Sequence, residues 1–189
     1  MTTTADPSVA YRTARPEDRA AIEALDGSFV TRSVFEVTRP EDGFVLREVP
    51  VDPPVRKVFP QDDEPDDEAD GDDDAGDADR RTFVALDGGV LCGFVAVAHS
   101  AWNRRLVVED IEIAPTHRGR GIGRSLMELA ADFARERGAA HLWLEVSTVN
   151  APAVHAYRRM GFTLCGLDTT LYDGTPAAGE QALFMSRPC

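Results

Sequence analysis

The run Arg118-Gly119-Arg120-Gly121-Ile122-Gly123 narrows what this chain can fold into more than any other stretch, because of what stands on either side of it. Before it, Leu106 to Ile113 reads as a strand that Pro115 ends. After it, Ile122, Leu126, Leu129 and Phe133 recur at helical spacing, while Arg124, Glu128, Asp132, Arg135 and Glu136 take the other faces. A strand that leads through a glycine loop into an amphipathic helix calls for an α/β arrangement, with the helix stripe packed on a sheet. Glycines leave backbone N–H groups bare, and the first amides of a helix lack intrahelical acceptors. The loop is therefore a cradle for an anion, a pyrophosphate above all, with Arg118, Arg120 and Arg124 adding positive charge around it.

Spacing narrows the choice of phosphate ligand. A dinucleotide fold asks for G-x-G-x-x-G, and the residue three after Gly121 is Arg124; a P-loop needs a lysine followed by Ser or Thr, and no lysine is near. The pattern left is R-x-x-G-x-G. A second block follows about thirty residues on: Leu142-Trp143-Leu144-Glu145-Val146, then Asn150, Ala153, Tyr157 and Gly161-Phe162. Together, in this order and at this distance, the two blocks resemble the GNAT superfamily of acetyl-CoA-dependent N-acetyltransferases. The resemblance implies an α/β fold with a mixed, centrally splayed β-sheet flanked by helices, and acetyl-CoA as the cofactor, leaving as coenzyme A. It assigns the cofactor to Arg118, Gly119, Arg120, Gly121, Ile122, Gly123, Arg124 and Asn150, and to the backbone of the strand at Ile111 and Ile113, where the family often carries a bulge.

Further stretches narrow the resemblance: Glu48-Val49-Pro50-Val51-Asp52-Pro53-Pro54, Ala101-Trp102-Asn103-Arg104-Arg105, and Tyr157 through Asp168. These look like streptothricin (nourseothricin) acetyltransferases, over nearly the whole chain. The implied acceptor is a small cationic amine, the β-lysine amine of streptothricin, acetylated directly in a ternary complex. Two alternatives stay open at this point: a protein N-terminal or lysine acetyltransferase, and a non-catalytic acyl-CoA-binding regulator.

The formal charge of -13 resolves into one segment, since Gln61 to Asp79 carries twelve acidic residues and no basic one, and the rest of the chain is nearly neutral. Without large apolar residues this segment cannot offset its ordering entropy, so the sequence predicts a disordered, solvated insertion at 61–79 within a single domain spanning 1–189. The insertion also speaks against nucleic acid as a partner. No apolar run approaches a membrane span and Met1 to Asp6 has no signal-peptide features, which makes the cytoplasm the expected location. Cys92, Cys165 and Cys189 have neither metal-ligand spacing nor an even count, so reduced thiols are expected, buried at 92 and 165, with no metal. Monomer and homodimer are both open.

The coarse reading elsewhere is a strand at Ala10 to Thr13, an Ala-rich helix reaching Asp26-Gly27, and strands at Val34 to Val37 and Phe44 to Val49. Pro50, Pro53 and Pro54 should end regular structure there. Thr82 to Leu86 and Val90 to Ser100 form a hairpin around Asp87-Gly88-Gly89, and Trp102-Asn103-Arg104 turns the chain again. A strand at His141 to Val146, a helix at Asn150 to Met160, and strands at Phe162 to Leu167 and Ala182 to Met185 complete the chain.

Acetyl transfer to an amine needs an uncharged nucleophile, stabilisation of the oxyanion and a proton for the departing thiolate. A lysine-like amine, with a reference pKa of about 10.4, arrives as ammonium, so a carboxylate must take its proton. By resemblance Glu145 is that base and Tyr157 the acid that protonates the thiolate. Glu109, Asp110 and Glu112 compete with Glu145 and, with Trp102, are candidates to hold the substrate. Strict alternation would set Asp110 and Glu112 on one face and Glu109, Ile111 and Ile113 on the other; a bulge would break that rule.

Overall fold

The computed structural model describes residues 8–58 and 79–189. In chain order its elements are β1 (Val9–Thr13), a 3-10 turn (Pro16–Asp18), α1 (Arg19–Glu23), β2 (Phe29–Thr38), β3 (Val45–Lys57), β4 (Arg80–Asp87) and β5 (Val90–Ser100). Then come β6 (Arg105–Ile113), α2 (Ile122–Glu136), β7 (His141–Ser147), α3 (Ala151–Arg159), β8 (Thr163–Asp168) and β9 (Ala182–Pro188). The described residues fall into two compact units, one drawn from 1–28, 58–142 and 188–189, the other from 29–57 and 143–187. Apart from Asp79, the predicted insertion at 61–79 lies outside the described residues.

In the first unit β1, β4, β5 and β6 lie side by side in that order, every pair antiparallel. Gly88 and Gly89, with φ of 58° and 87°, make the two-residue turn that joins β4 to β5; glycine takes this conformation without the steric cost that a Cβ adds. Helix α2 packs on β4, β5 and β6 through Ile122, Leu126, Met127, Ala130, Ala131, Phe133 and Ala134, all buried, and Phe133 meets Phe83 edge to face at 6.3 Å. Ile122, Leu126 and Phe133 of the stripe read from the sequence lie on this face, Leu129 is only half-buried, and Met127 and the alanines broaden the contact with the sheet.

The helix predicted to reach Gly27 ends at Glu23. Asp26 accepts a hydrogen bond from Ser28 N at 2.9 Å, turning the chain, and Gly27 continues in the loop.

In the second unit β2 and β3 form an antiparallel ribbon of their own, with α3 against β2, while β9 lies between β7 and β8. Strand β3 does not stop at its prolines. Thr31 pairs with Val55 and Ser33 with Pro50, so Arg32 alone stands opposite 51–54; this bulge carries Pro53 and Pro54 away from the ladder, where a missing N–H costs nothing. A similar shift between Leu164 and Gly166 leaves Cys165 unpaired and exposed, against the expectation that it would be buried, whereas Cys92 is buried as expected. Trp143 stacks on Phe184 with ring centroids 4.8 Å apart, a packing role for an aromatic on a strand.

Candidate active site

The glycine loop of the first unit has the shape its sequence predicts. Gly119 and Gly121 adopt φ of 79° and 84°, and Gly121 caps α2 with no side chain over the helix start. A Cβ on Gly119 would meet nothing within 4 Å, so the loop keeps open backbone beside a helix N-terminus. That surface fits a pyrophosphate. Two of the arginines do not point their charge at it in the way the motif suggests. Arg118 donates from Nε to the carbonyl of Ile113 at 2.9 Å, from Nη1 to that of Ser28 at 2.7 Å, and from Nη2 to that of Gly27 at 3.0 Å. Arg120 pairs with Asp87 at 2.9 Å and reaches Ser8 Oγ at 3.2 Å. Arg124 lies exposed on the first turn of α2.

Strand β6 carries the bulge that the sequence left open. Ala96 pairs with Asp110 and Val97 with Val108, so Glu109 is the extra residue. Cross-strand partners share a face, and Leu106, Val108, Ile111 and Ile113 stand opposite His99, Val97, Val95 and Gly93. This is the α2 face, since Ile113 lies against Gly93 and Gly123. Asp110 and Glu112 therefore point to the other face, with Phe94 and Ala96. Glu109 is exposed and pairs with Arg80 at 3.4 Å. Trp102 is 81% exposed on the turn before β6. Seven residues of strand at about 3.3 Å each separate that turn from Glu112, so the structure does not bring the two together.

Glu112 is half-buried, and burial, followed by repulsion from Asp110, pushes its pKa up to about 7 against the pull of Arg118; Asp26 adds to the rise. Burial raises Asp110 as well, but more of its surface meets solvent, which limits the effect. Among the described residues no donor hydrogen-bonds the Glu112 carboxylate, so its lone pairs are available for a proton. A carboxylate titrating near neutrality is matched to taking a proton from an amine.

In the second unit Asn150 caps α3, its side chain accepting from Ala153 N at 3.2 Å. Tyr157 follows two turns later, 9% exposed, its ring 5.8 Å from that of Phe162. Glu145 on β7 accepts a hydrogen bond from the Tyr172 hydroxyl, and burial raises its pKa, the phenol opposing the rise and Glu180 adding to it. Burial, then the bond to Glu145, drives the Tyr172 phenol up. Glu180 is held by Lys57 and Ser147.

Sequence reasoning did not find Gly27, Asp26, Glu180 or Lys57. The sequence predicts a helix running to Asp26-Gly27, and nothing local says that this stretch is a turn or that it meets Glu112. Tyr172 is 27 residues from Glu145 along the chain, and no local pattern links the two.

Residues 46–162 match the model of the acetyltransferase (GNAT) family. The chain is 64% identical, over all of both chains, to a streptothricin acetyltransferase of Streptomyces lavendulae. Its fold superposes on a crystal structure of nourseothricin acetyltransferase with a TM-score of 0.86, at 65% identity and covering 96% of this chain and 99% of that one. A Bacillus anthracis protein solved in complex with acetyl coenzyme A shares the fold at a TM-score of 0.76 and 20% identity, over 96% of this chain and all of that one.

Proposed function

Because the chain belongs to the GNAT family of acetyltransferases and is an acetyl-CoA-dependent N-acetyltransferase, we propose that its acceptor is streptothricin and that it acetylates the β-lysine amine of that antibiotic. The observation that carries this reading is the whole-length similarity to a streptothricin acetyltransferase; GNAT membership alone would fit many amines.

The backbone amides of the Gly119–Gly123 loop and the start of α2 would hold the pyrophosphate, and acetyl-CoA supplies the thioester from which acetyl passes directly to the amine. Glu112 takes the proton that the ammonium must lose, helped by a pKa near neutrality and by freedom from competing donors. The amine lone pair then forms the new C–N bond and the C–S bond breaks; Tyr157 gives its phenolic proton to the departing sulfur, and the second proton that the attacking nitrogen sheds on becoming the amide restores the phenol by way of solvent, leaving coenzyme A and the amide. Glu145 is the second reading for the base, favoured by its own burial-raised pKa; its bond to Tyr172 suits it better to orient a cationic group than to release and take protons. Acetylation removes a positive charge from the antibiotic. Among the described residues no helix is long and apolar enough to cross a membrane, and the cytoplasm, where acetyl-CoA is available, is the place we assign to the reaction.

Mass spectrometry of streptothricin incubated with the purified chain and acetyl-CoA, with thiol release followed in parallel, tests the reading. A single added acetyl group is expected. No addition to streptothricin, with acetylation of a peptide amine instead, would transfer the acceptor to proteins.

A further inference from the structure

Gly27 is a glycine for a reason that its own backbone does not supply. A Cβ built there would lie 2.1 Å from Glu112 Oε1, 2.4 Å from its Cδ and 2.7 Å from its Oε2, so the carboxylate occupies the space that any other residue's side chain would need. What holds the loop against Glu112 is also unusual. Arg118, from the pyrophosphate motif, donates from Nη1 to the carbonyl of Ser28, from Nη2 to that of Gly27, and from Nε to that of Ile113, the residue after Glu112. A planar guanidinium presents donors in a fixed fork and can bridge three carbonyls; an ammonium cannot reproduce that arrangement. Asp26 fixes the turn by accepting from Ser28 N.

We propose that Gly27 and Arg118 are positioning residues for Glu112: Arg118 fastens the 26–28 loop over the end of β6, and the absent side chain of Gly27 makes the seat in which the Glu112 carboxylate rests. The inference depends on the reading of Glu112 as proton acceptor and adds to it how the carboxylate is kept in place and partly out of water. Within this unit the ionisable groups that face Glu112 are Asp110 on its own strand, Asp26 in the loop and Arg118 after the strand. Two of them repel its charge and one attracts it, so a loosened loop, by admitting water, lowers the proton affinity of the carboxylate.

Gly27→Ala and Arg118→Lys are the informative variants, read by the pH dependence of kcat/KM and by the equilibrium Kd of acetyl-CoA, with Glu112→Gln beside them. In both variants the acid limb should move down by about one pH unit or more and the plateau should fall about tenfold, with the Kd within about threefold of the parent. An acid limb that superposes on the parent's in both, while Glu112→Gln is inactive, overturns the positioning role and leaves the base assignment standing. Full activity of Glu112→Gln overturns the base assignment itself. If Gly27→Ala does not fold, Arg118→Lys, which adds no volume beside the carboxylate, carries the test through the same limb. A large rise in the acetyl-CoA Kd of Arg118→Lys with an unmoved limb would return the arginine to the phosphate and sink the proposal.

Discussion

Tyr157 shows how much chemistry rests on a single atom once the rest of a side chain is fixed by packing. Its ring is almost wholly buried beside Phe162, so replacing it with phenylalanine keeps the shape and removes only the hydroxyl. A phenol with a reference pKa of about 10 can protonate a thiolate whose acid has a pKa of about 8.5, with help from the site. We expect Tyr157→Phe to lower kcat by about 10²–10⁴-fold while the Kd of acetyl-CoA stays within about threefold, measured by steady-state kinetics and calorimetry. A kcat within threefold of the parent would remove the proton-donor role. The glycines were legible in the sequence because they stand between a strand and a helix start, whereas Tyr157 and Asn150 were singled out by the resemblance of their block to the GNAT superfamily. Gly27 was not, since the carboxylate that requires it lies on a strand far along the sequence, and only the register of β6 turns that strand's acidic face toward the loop.

Strand β6 is the element on which the acidic candidates depend. Its apolar residues change parity, from Leu106 and Val108 to Ile111 and Ile113, and a straight strand would have turned one pair away from α2. The extra residue at Glu109 restores both pairs to that face and in the same step sets Asp110 and Glu112 together on the other. The parity change was visible in the sequence; the position of the bulge within it was not, because several one-residue shifts satisfy the same pattern. Register at the far end is guarded by Gly93, where a Cβ would stand 2.6 Å from Ile113 Cδ1 and 3.0 Å from the Glu112 carbonyl oxygen. The methyl of Gly93→Ala has a side chain and a strand backbone in its way, an overpacking of about 1–3 kcal/mol. For a chain of this size that corresponds to a fall in Tm of roughly 3–10 °C, observable by calorimetry. An unchanged Tm would mean that Ile113 has room to move aside. The prolines of β3 teach the converse lesson. Composition alone ended that strand early, because a bulge opposite Arg32 that lets proline sit off the ladder is a property of the pair and not of either segment.

At the scale of the molecule, two carboxylates with opposite shifts set how stability should follow pH. Asp18 is held down at about 2 by its hydrogen bonds from Arg12, at 2.5 and 2.8 Å, and from Arg15 N, so what it contributes is present above the ordinary Asp range, about 3.9, and is lost as pH falls through about 2. Glu112 acts in the other direction. Its proton stays on in the folded chain up to about 7, while an unfolded chain releases it above about 4.3. Between those values the unfolded state binds fewer protons, and stability therefore falls as pH rises through the window and levels off beyond it. A half-buried carboxylate near neutrality is thus a strain on the fold that function retains, the kind of trade that active sites often make. Glu112→Gln removes the titration and keeps the shape. Because solvent reaches the group, we expect the variant to gain about 1 kcal/mol on the parent between pH of about 5 and about 8 in urea unfolding, even as acetyl transfer is lost. If the two chains keep a constant gap across that range, Glu112 titrates as an exposed glutamate does, and the physical ground for making it the base is gone.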